Sequence, residues 1–146
     1  MKITFRLTRL LIMLSIITFL LFSCSKDDST SQPSSPSIEG KWQYTKIGTI
    51  TNNQEILNDY QHESGCTKDY IEVLSNNVIK SHEFDNPNCQ ETINTGTWNR
   101  TNNSLILTFP NQPSINGEIM ELSNTILKTK FFNPGIIDVE VLTRIN

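Results

Sequence analysis

The residues of this 146-residue chain whose types could do chemistry are few: Cys24, Cys66 and Cys89, His62 and His82, and the tryptophans Trp42 and Trp98. On paper His62, Cys66, His82 and Cys89 make a four-ligand zinc site. Their spacing matches none of the recurrent zinc patterns, and thiols that pair with each other are not ligands, so no metal is expected. Serines and 15 acidic residues are available, yet no nucleophile elbow or triad pattern appears. The acids are scattered along strand edges and turns, as a solvated face would place them. We therefore expect no catalytic residue, no enzymatic activity and no cofactor. What remains is the chemistry of cysteine.

Cys24 follows a basic segment carrying Lys2, Arg6 and Arg9 and an apolar stretch over 10–22. As a helix that stretch would reach only about 20 Å, short of the roughly 20 residues a membrane span needs. It reads instead as the apolar region of a secretory signal. The stretch ends in Leu21-Phe22-Ser23-Cys24, which resembles the lipobox of bacterial lipoproteins. The resemblance implies cleavage before Cys24, a diacylglycerol on its thiol and a third acyl chain on its freed amine. Each buried methylene contributes about 0.8 kcal/mol, so two or three chains anchor stably. An ordinary signal followed by a free cysteine is the competing reading. Ser25-Lys26-Asp27-Asp28 resembles the signal that sends lipoproteins of some Gram-negative bacteria to the outer face of the outer membrane. A solvated tether on a domain facing the periplasm is the alternative. Residues 25–37 are rich in Ser, Pro, Thr and Gln and cannot bury enough surface to fold. The expected organisation is a signal peptide over 1–23, a lipidated Cys24 with a flexible tether over 24–37, and one domain over 38–146. The expected location is the outer membrane.

With Cys24 lipidated, Cys66 and Cys89 are left in an oxidising compartment, where a disulfide is the natural state. It would close a loop of about 24 residues and stabilise the domain by on the order of 3 kcal/mol. Cleavage also removes three of the 12 basic residues, leaving nine against 15 acids and a net charge of −6. That sign argues against nucleic acid, which needs clustered Lys and Arg. It fits solubility first and a positively charged ligand second.

The elements that must position these residues read as strands: 40–50, 68–75, 77–84, 91–99, 104–109, 115–122, 125–132 and 136–145. Breaks rich in Asn, Pro and Gly separate them. Eight strands at this spacing predict an all-β, up-and-down antiparallel barrel or a sandwich. Alternation puts Leu105, Leu107 and Phe109 on one face, and Leu127, Thr129 and Phe131 opposite Lys128 and Lys130. In the last strand it sets Ile137, Val139, Val141 and Ile145 inward, and Asp138, Glu140 and Arg144 outward. The segment 56–60 reads either as a helical turn or as part of a long loop.

Several pieces together resemble the lipocalin-like domain of bacterial outer-membrane lipoproteins. Gly40-Lys41-Trp42 is similar to the Gly-x-Trp of the first lipocalin strand, and Cys66-Thr67-Lys68-Asp69-Tyr70 to a Cys-x-Lys-Asp stretch that opens the next. Cys89, Gly96-Thr97-Trp98, Leu105-Ile106-Leu107, Met120-Glu121-Leu122-Ser123 and Ile126-Leu127 follow in order. Asn76-Asn77 stands where an Asp-Gly turn is usual. The resemblance implies an eight-stranded lipocalin-like barrel in which Gly40, Trp42 and Arg144 pack one end, with Arg144 over Trp42 in a cation–π contact. Trp42 and Trp98 read as core plugs before ligand stackers. An inner cavity would be lined by Tyr44, Ile71, Val73, Leu107, Met120, Leu127, Phe131, Val139 and Val141; otherwise the same residues meet and fill the interior. Two functions follow. In one, a membrane-anchored barrel binds a small hydrophobic ligand. In the other, the barrel is filled and acts through loops 51–67 and 85–90 on a protein partner, as an inhibitor, an immunity factor or a subunit of an outer-membrane complex.

Overall fold

Asparagine sets the turns. Asn52, Asn53, Asn77, Asn102 and Asn111 have φ between 52° and 62°, the left-handed region that Asn enters at low cost among non-glycine residues. The computed structural model describes residues 36–85 and 87–146, and the regular elements among them are all strands. They are β1 (Gly40–Thr51), β2 (Gln54–Asp59), β3 (Tyr70–Val73), β4 (Val78–Asp85), β5 (Gln90–Thr101), β6 (Ser104–Thr108), β7 (Ile115–Leu122), β8 (Ile126–Asn133) and β9 (Ile136–Ile145). The expected signal peptide, Cys24 and most of the expected tether lie outside the described residues.

Every strand is antiparallel to its neighbours, and β1 pairs with β9, so β1 and β3 to β9 close an eight-stranded barrel. Closure leaves no open sheet edge in the ring. Period-two alternation gives the wall its two faces. In β6, Leu105 and Leu107 are buried between exposed Ser104, Ile106 and Thr108, and in β8, Leu127, Thr129 and Phe131 are buried.

β2 is a ninth strand where a helical turn or a loop was expected. Asn52 and Asn53, both at positive φ, make the two-residue turn that matches strand twist in tight hairpins. β1 pairs with β3 through Gly40 to Gln43 and with β2 through Lys46 to Thr51, while its other edge follows β9. β2 therefore takes up the β1 edge that β3 leaves. It also bends over the outside of the barrel. A Cβ on outward-facing Gly48 would run into the backbone of Ile56, so only glycine admits β2 this close. Lys128 of β8 reaches Glu55 of β2 at 2.7 Å, a bridge that crosses the outer face of β9.

That cover inverts the expected faces of β9. Asp138, Glu140 and Leu142 line the interior, and Ile137, Val139 and Val141 alternate with them toward the outside. Val139 is nevertheless fully buried, while standing apart from the interior cluster that holds Leu142. An apolar outer row is tolerated here because the β1–β2 ribbon folds onto it. Two bulges complete the wall. One between Tyr44 and Lys46 leaves Thr45 unpaired, so Tyr44 and Ile47 both face inward. The other, between Ile119 and Glu121, leaves Met120 unpaired and 43% exposed. Bulges break the period-two count locally.

Candidate functional site

The strands direct two different sets of side chains into the barrel, one at each end. At the end where β1 begins, Trp42 is fully buried and donates Nε1–H to the Ile38 carbonyl at 2.7 Å. The Arg144 guanidinium carbon lies 4.1 Å from the centre of the Trp42 ring. Its nitrogens donate to the carbonyls of Asn124, Glu39 and Ser37. Gly40 sits at φ +131°, and any Cβ there would strike Arg144. The Gly-x-Trp spacing therefore has a physical basis: the missing side chain makes room for the guanidinium that caps the tryptophan.

Above this plug the barrel is not filled. A cavity of about 630 Å³ occupies the centre, within the range in which clefts hold small molecules. Tyr44, Ile71, Val73, Leu107, Leu127 and Phe131 line it as expected. Met120, Val139 and Val141 do not, because the bulge in β7 and the inverted faces of β9 turn them outward. Trp98 is half-buried on the cavity wall, its Nε1–H given to the Leu74 carbonyl at 3.0 Å, so its ring face is free to touch an occupant.

The open half carries what the sequence reading had assigned to solvent. Glu83, Asp138 and Glu140 all line the cavity, and no Lys, Arg or His lines it among the described residues. Burial, and then the neighbouring Asp138 carboxylate, push Glu140 up to about 7. Tyr44 is raised well above the usual phenol range by burial, then by Glu140, Tyr60 and Glu83, against a smaller opposing effect of its hydrogen bond with Ser81. Register places Thr129 of β8 directly opposite Glu140, both facing inward. Thr129 is 2% exposed, and its hydroxyl has no hydrogen-bond partner among the described residues.

The mouth is braced on one side. Tyr44 and Tyr60 stack with ring centres 4.9 Å apart. His62 lies within 2.9 Å of the Tyr44 carbonyl through Nε2 and accepts the Asp69 amide proton at Nδ1, which fixes Nε2 as the protonated nitrogen. Buried Asp69 accepts from the Tyr60 hydroxyl and the Phe84 amide. The Cys66–Cys89 disulfide is present, tying this segment to the turn before β5. His62 and Asp69 are thus braces. His82 faces outward, stacked on Tyr70 at 4.3 Å and bonded to Glu91 at 2.7 Å. No group of three or more His, Cys, Asp or Glu that could hold a metal occurs among the described residues.

Sequence reasoning missed Glu83, Asp138 and Glu140, and it set Thr129 on the face of Leu127 and Phe131 without naming it as a site residue. One signal could have found two of the acids and pointed to Thr129. If Arg144 caps Trp42 from inside, two-residue alternation carries Leu142, Glu140 and Asp138 inward with it, and register then brings in Thr129.

Comparisons agree with this geometry. A family model of lipocalin-like domains matches residues 38–129. A lipocalin-like protein from Bacteroides uniformis superposes with a TM-score of 0.55 at 9% identity, covering 73% of this chain and 97% of that one. An uncharacterized protein from Bacteroides eggerthii superposes with a TM-score of 0.52 at 10% identity, covering 75% of this chain and all of that one. At such identities the likeness is one of fold. No curated protein matches the chain significantly in sequence.

Proposed function

Because the chain belongs to the family of lipocalin-like domains, we propose that its barrel carries one small, largely apolar molecule in the central cavity. The observation that carries this reading is the cavity itself, about 630 Å³ left open where side chains of this size could have met. Protein interiors are otherwise packed close to crystal density. The carrier is tethered by lipid on Cys24 to the outer membrane, facing the exterior if the Lys-Asp-Asp signal acts as it reads.

The test is native mass spectrometry of the protein purified from its own host. An extra mass that disappears on organic extraction supports a carried molecule and gives its size; a bare protein, stable and binding no apolar probe, overturns it. Cys24→Ala should release the protein from membranes and abolish acylation. Protease on whole cells should digest a surface-facing domain and spare a periplasmic one.

The rival reading of a partner-binding barrel has one observation in its favour. Ile56 on β2 is 56% exposed, an apolar side chain on the ribbon that stands in the region expected to contact a protein. That reading supposed a filled interior, and the interior is open.

A further inference from the structure

We propose that the molecule held in the cavity carries a protonated amine, set among Glu140, Asp138 and Glu83 in the open half, with its apolar body against Trp98, Leu107 and Leu127 below. The proposal rests on the carrier reading above and narrows it to a chemical class.

Charge inside the barrel is one-sided. Three carboxylates line the cavity, and Lys46, Lys128 and Lys130 on the same wall strands instead pair with Asp59, Glu55 and Glu118. Two of the acids have neutral partners: Asn133 donates to Asp138, and the Ser81 hydroxyl donates to Glu83. Glu140 makes no hydrogen bond or ion pair among the described residues; Asp138 on its own strand bears on it, and Tyr44 on β1 feels its charge together with that of Glu83 on β4. An enclosed, unpaired carboxylate is costly unless something of opposite charge meets it.

A second, independent feature stands beside it. The Thr129 hydroxyl is buried and unpartnered, on a residue that lines the same space. Natural interiors leave few such groups unsatisfied, and one that is has a reason. An ammonium carries three donors and no acceptor. Glu140, Thr129 and one of the two remaining acids would supply three acceptors around a single nitrogen. A fatty acid would add a fourth negative charge with no cation to meet it. An alcohol would supply one donor and leave the charge of Glu140 uncompensated. The apolar residues toward the closed end set the orientation, with head group toward the mouth and body toward the Trp42 plug. Burial and Asp138 already raise the Glu140 carboxyl to about 7, so a bound cation would relieve a repulsion that the empty barrel sustains.

The test titrates the full chain by calorimetry with n-octylammonium, n-octanol and octanoate, which share a tail and differ in head group. Octylammonium should bind at least about tenfold tighter than either of the others. Glu140→Gln should bring the amine down to the level of the alcohol and leave octanol binding unchanged, and Thr129→Val should weaken the amine selectively. If octanol or octanoate binds as well as the amine, or if the amine preference survives both Glu140→Gln and Asp138→Asn, the amine site is overturned while the carrier reading stands. If none of the three binds, the carrier reading fails and this proposal fails with it.

Discussion

At the scale of single residues, Glu140 and Gly40 are the informative positions. Glu140 ionises near 7 in the folded chain and near its ordinary 4.5 when unfolded. Below 4.5 both states hold the proton, and the residue has no effect on stability. Between 4.5 and 7 the unfolded chain releases it first, so stability falls as pH rises, and above 7 the whole penalty is in place. A shift of that size corresponds to no more than about 3–4 kcal/mol, reduced by whatever water the cavity admits. Glu140→Gln should therefore raise stability at pH 8 by about 1–3 kcal/mol and leave it unchanged at pH 4, read by urea denaturation. A loss of stability at pH 8 would mean that the carboxylate has a favourable partner in the empty protein. Gly40→Ala meets two obstacles, a φ of +131° and the Arg144 guanidinium. It should cost about 1–3 kcal/mol and shift the fluorescence of Trp42, whereas Gly65→Ala, with open space around it, should leave that fluorescence alone.

At the scale of elements, β9 separates what the sequence makes legible from what it does not. The closed end was legible because Gly40, Trp42 and Arg144 act through local chemistry: a missing Cβ, an indole and a fork of donors. The strands from β3 onward were legible because asparagine turns and alternation are local as well. The faces of β9 depend on something distant, since its apolar row is covered by a hairpin some eighty residues earlier in the chain and its acidic row faces a cavity. Alternation assumes that apolar means inward, and both exceptions occur in this strand. The Asn52-Asn53 pair was the local signal for β2, and the polar residues around it disguised the strand as a loop. Val139→Asp tests the arrangement. On an uncovered outer face it would be nearly silent; on a fully buried one it should cost at least about 3 kcal/mol. Lys128→Ala, which removes only the partly exposed bridge to Glu55, should cost no more than about 1 kcal/mol.

At the scale of the whole molecule, the barrel is secured at both ends and open in the middle. Arg144 closes one end over Trp42, and the Cys66–Cys89 disulfide with Asp69 braces the other. The two devices differ in what they protect. The Arg144 fork holds folded groups together in the native state. The disulfide spans 23 residues and acts largely by limiting the unfolded chain, an effect of on the order of 3 kcal/mol for a loop of this size. A paired Cys66→Ser and Cys89→Ser variant should lose about that much, with the loss of protection concentrated at one end. Hydrogen exchange should quicken in the segment 60–69 and around the turn before β5, while amides beside Trp42 keep their rank as the slowest. Uniform quickening through the barrel would mean that the mouth and the plug unfold as one unit. Quickening at the mouth alone would establish that the open end can loosen while the plug holds, which a carrier needs in order to admit its ligand.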